Sequence, residues 1–264
     1  MIASLQNPLV KQMRKLHSAK QRSQQGVFLL EGTHLLEEAY AAKYPLECVC
    51  CTSQWQENHQ QLWQQISQSG ARIEIVTPEI LQAIATTINP DGVVATATRQ
   101  QGREVPHTGI SLALETLQDP GNLGTIIRTA AAAGASGLWL SRDSVDLDNP
   151  KVLRASAGQW FRLPMVVSQD LRQTVLQCQA AGMQAIATLP TAKMTYWEVD
   201  WQRPSVILLG NEGAGLSADL AAMTDLQVQI PLCAGVESLN VGIAAALLLY
   251  EAQRQRSQQQ VEST

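Results

Sequence analysis

The sequence predicts an α/β protein in two parts, a smaller α/β amino-terminal half and a larger half built on a parallel sheet. Three observations point there. Short apolar runs such as SLALET and GLWLS are uninterrupted, as expected of strands buried on both faces. These runs alternate with helical stretches, the pattern of a sheet covered by crossover helices. Near residue 100, VVATATRQQGREVPHTG passes from a strand-like run into polar sequence with glycine and proline. That shift divides the 264 residues into a 1–100 domain, a linker at 101–109 and a 110–264 domain.

The first half opens with a polar helical stretch at 7–24 that holds Lys11, Arg14, Lys15, Lys20 and Arg22 and no acidic residue. Such a cluster is either a solvated helix face or an arm that contacts phosphates. Strands are expected at 27–30, 47–52, 72–76 and 92–98, with helices at 35–42 and 56–69, making a compact α/β sandwich. In the second half SLALET, GLWLS and LPMVV alternate with helices at 122–133 and 151–157. Further strands are expected at 184–188, 205–209 and 226–230. A last helix starts near 239 and ends in a fraying glutamine-rich tail.

Composition narrows the function classes. A hydrophobic fraction of 45% is ordinary for a globular protein, and a net charge of −4 gives no overall positive field, so a nucleic-acid partner needs a local basic patch. The cysteines, Cys48, Cys50, Cys51, Cys178 and Cys233, have no zinc-type spacing, so no metal is expected. CVCC alternates like a strand, which points to core thiols. An odd cysteine count and no secretory signal favour a reducing cytoplasm. The apolar run 241–250 is about half of a bilayer span and reads as a buried helix, with no membrane expected. The four histidines are scattered without a nucleophile–base pattern.

Chemistry concentrates in three segments: DPGNLGTIIRTA from Asp119, LLGNEGAGLS from Leu208 and IPLCAGVESLNVGIAAALLLYE from Ile230. Each follows an apolar run, and the ends of strands are where open α/β sheets bind ligands. LLGNEGAGLS lacks the Lys-Ser/Thr of a P-loop and has its glycines in the wrong order for a dinucleotide fold. Gly210, Gly213 and Gly215 are expected to allow positive φ and close approach to a flat ligand. Glu212 suits a cationic or donor-bearing partner better than a phosphate.

In combination the segments resemble the SpoU family of ribose 2′-O-methyltransferases. The motifs stand here as Asp119 with Asn122-Leu123-Gly124 and Arg128-Thr129-Ala130, then Gly210-Asn211-Glu212-Gly213, then Glu237-Ser238-Leu239-Asn240-Val241. GVFLLEGTHLLEEA and NPDGVVATA resemble the family's small RNA-binding domain, similar in fold to certain ribosomal proteins. One position departs: many relatives carry Ser where this chain has Gly242.

The resemblance implies a trefoil-knotted catalytic domain that binds S-adenosyl-L-methionine through Leu209, Gly210, Asn211, Gly213, Ile230, Leu232 and Leu239. It implies catalytic roles for Asn122, Arg128, Glu212, Ser238 and Asn240, and Asn122 is expected to orient the ribose or Arg128. Lys11, Arg14, Lys15, Lys20, Arg22 and Arg154 are expected to contact RNA, and Arg154 falls in KVLRASAGQWFRLP, which resembles a loop near the substrate. A homodimer through the catalytic domain is also implied. Ribosomal RNA, 23S above all, is the expected substrate. Transfer RNA, a base nitrogen as methyl acceptor, or a non-catalytic RNA-binding role are the alternatives.

Overall fold

The computed structural model describes residues 1–100 and 103–262. Residues 101 and 102 of the expected linker, and 263–264 of the expected tail, lie outside the described residues. In chain order the elements are α1 (Pro8–Lys15), α2 (Ala19–Gln25), β1 (Val27–Glu31), α3 (Thr33–Ala41), β2 (Leu46–Cys51), α4 (Ser53–Asn58), α5 (Gln60–Ser67), β3 (Arg72–Ile75), α6 (Pro78–Ile84) and β4 (Val93–Thr98). Then follow β5 (Ile110–Leu114), α7 (Pro120–Ala132), β6 (Gly137–Ser141), α8 (Pro150–Ala155), β7 (Met165–Ser168), α9 (Leu171–Ala180) and β8 (Gln184–Thr188). The last are β9 (Met194–Thr195), β10 (Ser205–Leu209), α10 (Ala218–Ala222), β11 (Leu226–Gln229) and α11 (Val241–Glu262).

These elements form two compact units. Residues Met1–Gln101 with Asp146–Phe161 make the first, and Gly102–Val145 with Arg162–Thr264 the second. This differs from the single division expected at 101–109, because α8 and its flanks leave the second half of the sequence and pack in the first unit.

The first unit has a four-stranded sheet in the order β1-β4-β2-β3, antiparallel except for the β2–β3 pair. Its strands alternate between two apolar clusters: Phe28, Leu30, Val49, Cys51, Val93 and Ala95 face one, Val27, Leu29, Cys48, Cys50 and Val94 the other. Both sheet faces are therefore buried, and Cys48, Cys50 and Cys51 are core thiols.

The expected helix at 7–24 is two helices. The Asn7 side chain accepts from the Leu9 N–H at 2.9 Å with Pro8 at the first position, the second helix restarts at Ser18, and Gly26 ends it at φ 68°. The helix expected at 56–69 is likewise broken at His59, whose φ is −127°.

Asp146–Phe161 closes this unit through charge and aromatic packing. Arg22 is 1% exposed and donates to Asp146 at 2.8 Å and Asp148 at 3.0 Å, while Arg99 donates to the same two carboxylates at 2.9 and 2.5 Å. Two cations shared by two anions offset the desolvation of the buried pair. Trp160 and Phe161 pack against Tyr44, and Trp160 also against Phe28.

The second unit carries a seven-stranded sheet ordered β7-β6-β5-β10-β8-β11-β9, every pair parallel. All strands therefore end on one edge, and the segments after β5, β10 and β11 share it. The α11 helix packs along α7. Among the described residues no helix is long and apolar enough to cross a membrane.

Candidate active site

The three motif segments meet at Asn122. Asp119 caps α7, its carboxylate accepting from the Asn122 N–H at 2.8 Å, and Pro120 takes the first helical position. The Asn122 side chain then bridges the other two segments. Its amide nitrogen donates to Glu212 at 3.2 Å, and its oxygen accepts from the Asn240 amide at 2.8 Å. Asn240 in turn accepts from the N–H of Gly242 at 2.9 Å and so caps α11. Residues 90 and 118 positions away are thus tied to one amide. The Asn122 side chain joins the loops and makes no hydrogen bond to Arg128.

Glu212 accepts three bonds across the same junction, from the N–H groups of Gln118 at 3.1 Å and Asp119 at 3.0 Å and from the Asn122 amide. Partial burial pushes its carboxyl up, but these donors and its own N–H outweigh that and hold it below the ordinary carboxylate range. Its charge is used to fasten the β10 loop to the start of α7.

The β10 loop is also closed on itself. Asn211 and Gly215 exchange backbone bonds at 3.0 and 2.9 Å, and the Asn211 side-chain oxygen accepts from the N–H groups of Gly213 and Ala214 at 2.9 Å. Its amide nitrogen reaches the Thr116 carbonyl at 2.8 Å.

Of the three glycines expected to allow positive φ, only Gly215 takes it up, at 73°. Gly210 is required for a different reason. A Cβ there would overlap the backbone of Gly215 and Leu216. Gly213 has open space, with the Asn211 side chain 3.6 Å from a notional Cβ. At Gly242 a Cβ would press on the Asn240 side chain at 3.1 Å and on Thr125 at 3.3 Å, so a glycine there lets the start of α11 sit close against α7.

A supporting shell went unread in the sequence. Thr116 is held at φ 53°, a strained value for a β-branched residue. Its N–H donates to Ser141 at 2.7 Å and its hydroxyl to Asp143 at 2.7 Å, while the Leu117 N–H donates to Ser144 at 2.9 Å. Hydrogen bonds from Ser141 and Thr116 hold the Asp143 carboxyl below its ordinary range. The available signal was SRDS, a polar quartet directly after an apolar strand.

Other expected site residues stand apart from this junction. The Arg128 side chain is exposed and makes no hydrogen bond or ion pair with any described residue. It lies about 9 Å further along α7 than Asn122. Ser238 is exposed in the loop 231–240, which is open along its whole length. The only backbone bond between residues of that loop joins the Val236 N–H to the Cys233 carbonyl, 3.1 Å, among the described residues. Leu232 and Leu239 are 36% and 37% exposed, whereas Leu209 is buried and Ile230 half-buried at the ends of their strands.

Lys11, Arg14, Lys15 and Lys20 are exposed, but two of the expected RNA contacts are engaged within the protein. Arg22 is buried on Asp146 and Asp148, and Arg154 donates to Glu31 and to Thr86, both at 2.9 Å. A charge cluster in sequence does not show which cations find internal anions.

The chain matches the model of the SpoU rRNA Methylase family over residues 109–250, more than half its length. It belongs to that family. Residues 7–95 match the MRM3-like substrate binding domain. This SpoU methylase is 50% identical over 257 residues, 97% of the chain and 94% of the relative, to an uncharacterized tRNA/rRNA methyltransferase of Synechocystis sp.. It is 32% identical to the 23S rRNA (guanosine(2553)-2′-O)-methyltransferase RlmP of Bacillus subtilis, covering 94% of the chain and 97% of the relative. Among solved structures it resembles an AdoMet-bound rRNA methyltransferase of Sinorhizobium meliloti, with a TM-score of 0.85, 31% identity and coverage of 96% and 97%. A second neighbour is the AdoMet-complexed SpoU methyltransferase AviRb of Streptomyces viridochromogenes, with a TM-score of 0.87, 28% identity and coverage of 96% and 99%.

Proposed function

We propose that this SpoU methylase transfers a methyl group from S-adenosyl-L-methionine to a ribose 2′-hydroxyl of structured RNA, 23S ribosomal RNA being the favoured substrate. The observation that carries the reading is the convergence of all three motif segments on Asn122. The residues present fit the methyl donor. Leu232 and Leu239 offer exposed apolar surface for a flat ring, and the exposed backbone of 231–239, with one internal bond between its residues, offers donors and acceptors beside it. Leu209, Gly210, Asn211, Gly213 and Ile230 form the strand-end rims. When bound, the sulfonium supplies an electrophilic methyl group.

The chain's own residues then position and stabilise. Alignment of a nucleophile with its target is a large part of such catalysis. A guanidinium stays protonated in proteins, so Arg128 is a poor general base. As an exposed cation without an internal partner, it is suited to hold an RNA phosphate and the alkoxide charge that develops on the 2′-oxygen. Asn122, Glu212 and Asn240 fix the loops around it, and Ser238 supplies a hydroxyl at the rim.

Three further parts belong to the same reading. The chain threads into a trefoil knot at the β10 and β11 loops, a reading that rests on its family membership. Two copies pair through α11, where Ile243, Leu247 and Tyr250 form an exposed apolar stripe beside Tyr196 around a hollow of about 390 Å³. The first unit, similar in fold to certain ribosomal proteins, binds RNA through Lys11, Arg14, Lys15 and Lys20. The reaction takes place in the cytoplasm, with ribosomal RNA.

The test is incubation with methyl-labelled S-adenosyl-L-methionine and separate pools of undermodified 23S ribosomal and transfer RNA. Alkali-resistant label in ribosomal RNA is the expected result. Resistant label in transfer RNA changes the substrate, label on a base changes the reaction, and no label in either pool overturns the enzymatic reading. A concentration-independent monomer mass in light scattering overturns the dimer.

A further inference from the structure

Strand β5 lies between β6 and β10, and its Leu114 registers with Leu140 on one side and Leu209 on the other. Two residues further on, Thr116 bonds to both neighbours at once. Its N–H donates to the Ser141 hydroxyl at 2.7 Å on the β6 side, and its carbonyl accepts from the Asn211 amide at 2.8 Å on the β10 side. In an extended strand the N–H and C=O of one residue point to the same neighbour. Serving opposite neighbours takes the backbone out of the extended region, and Thr116 stands at φ 53°. A β-branched residue is disfavoured there, so the conformation persists only where its surroundings enforce it.

The turn after β6 supplies that enforcement. The Leu117 N–H donates to Ser144 at 2.9 Å, the Ser144 and Ser141 hydroxyls lie 2.8 Å apart, and Ser141 donates to one Asp143 oxygen at 2.6 Å. A hydroxyl has one proton and a carboxylate only accepts, so Ser144 donates to Ser141 and leaves Ser141 free to donate to Asp143. The Thr116 hydroxyl donates to the other Asp143 oxygen at 2.7 Å. Every proton of the network is directed toward one carboxylate, and Thr116 is held through both its N–H and its side chain.

On the far side the Thr116 carbonyl sets the Asn211 amide. With its nitrogen committed to that carbonyl, Asn211 turns its oxygen to the N–H groups of Gly213 and Ala214, both at 2.9 Å, and so shapes the β10 loop. Asp143 reaches that loop through a single strained residue.

We infer, resting on the methyl-donor reading above, that Ser141 and Asp143 are positioning residues for S-adenosyl-L-methionine: they hold Thr116 in its left-handed conformation so that its carbonyl orients Asn211 and the β10 rim. Without the carboxylate, Thr116 relaxes to negative φ, its carbonyl turns away from Asn211, and the rim loosens.

The experiment measures S-adenosyl-L-methionine binding to the full chain by calorimetry, for wild type, for Asp143→Ala, and for Asp143→Ala made in a Thr116→Gly background. Asp143→Ala should weaken binding about fivefold. It should raise KM for the methyl donor, with KM for RNA and kcat at saturating donor retained. Glycine takes positive φ without support, so in the Thr116→Gly background the same substitution should cost less than about twofold. Thr116→Val keeps the side-chain shape and removes the hydroxyl; it should lose as much as Asp143→Ala, and it carries the test if Asp143→Ala fails to fold.

Wild-type affinity in Asp143→Ala or in Thr116→Val makes the network a support of the fold alone and overturns the inference. A loss of the same size in the Thr116→Gly background overturns it too, since Asp143 then acts by a route other than Thr116. If the wild-type chain binds no S-adenosyl-L-methionine, the proposed function fails together with this inference; binding by wild type that Asp143→Ala leaves unchanged removes the positioning role alone.

Discussion

The loop after β10 and the loop after β11 leave the same edge of one parallel sheet, yet the first is closed and the second open. In residues 210–217 the Asn211 side chain, the Glu212 carboxylate and the N–H groups of Asn211, Gly213, Ala214, Gly215 and Ser217 all have internal partners. In residues 231–240 one backbone bond joins loop residues, and every residue is exposed. On the proposed function, the difference separates frame from working surface. Groups satisfied within the fold set geometry, and groups without an internal partner are available to a ligand. Arg128 belongs with the open set although it sits on a helix.

The strongest way to break this division is Arg128→Ala. It should lower kcat by about 10²- to 10³-fold, as loss of a charge-stabilising donor does, with melting temperature and S-adenosyl-L-methionine affinity unchanged. Retained turnover in a single-turnover assay would move Arg128 out of the chemistry. Next comes Gly210→Ala in the closed loop, where the new methyl overlaps the Gly215–Leu216 backbone. Denaturant unfolding should show a loss of about 3 kcal/mol, while Gly213→Ala, with open space around it, stays within about 0.5 kcal/mol of wild type.

A smaller effect is expected in the open loop. Leu239→Ala should leave unfolding untouched and weaken S-adenosyl-L-methionine binding about fivefold by calorimetry. If unfolding changes instead, the open loop is part of the frame. The smallest effect concerns acid. Glu212 is held below its ordinary pKa of 4.5, so its stabilising effect is present above that value and lost as pH falls through the lowered one. Glu212→Gln should melt below wild type at neutral pH, and the gap should close in strong acid. A gap that persists there would show that the loop is fastened without the charge.

Much of the sheet was legible because parallel strands buried on both faces leave uninterrupted apolar runs, as at Ser205–Leu209 and Gln184–Thr188. Short amphipathic helices such as Pro78–Ile84 and Leu171–Ala180 passed unread, since seven to ten residues carry only two or three apolar repeats. The motif residues were legible as a set, but their division of labour was not. Nothing local to Asn122 says that its amide is divided between partners 90 and 118 positions away. Gly210 looked like a conformational glycine and is a steric one. Arg22 and Arg154 looked like free cations because Asp146, Asp148 and Glu31 stand more than 120 residues from them.

The same distant pairing bears on how the chain is made. Synthesis delivers the first 100 residues well before Asp146–Phe161, and domains ordinarily fold as their last residue emerges. Here the earlier segment must wait. Until the later one arrives, Arg22 and Arg99 lack both of their carboxylates, Glu31 lacks Arg154, and Phe28 and Tyr44 lack the rings of Trp160 and Phe161. A ribosome stalled near residue 100 therefore carries an incomplete core, and the small unit matures only after β5, α7 and β6 of the larger one have been synthesised.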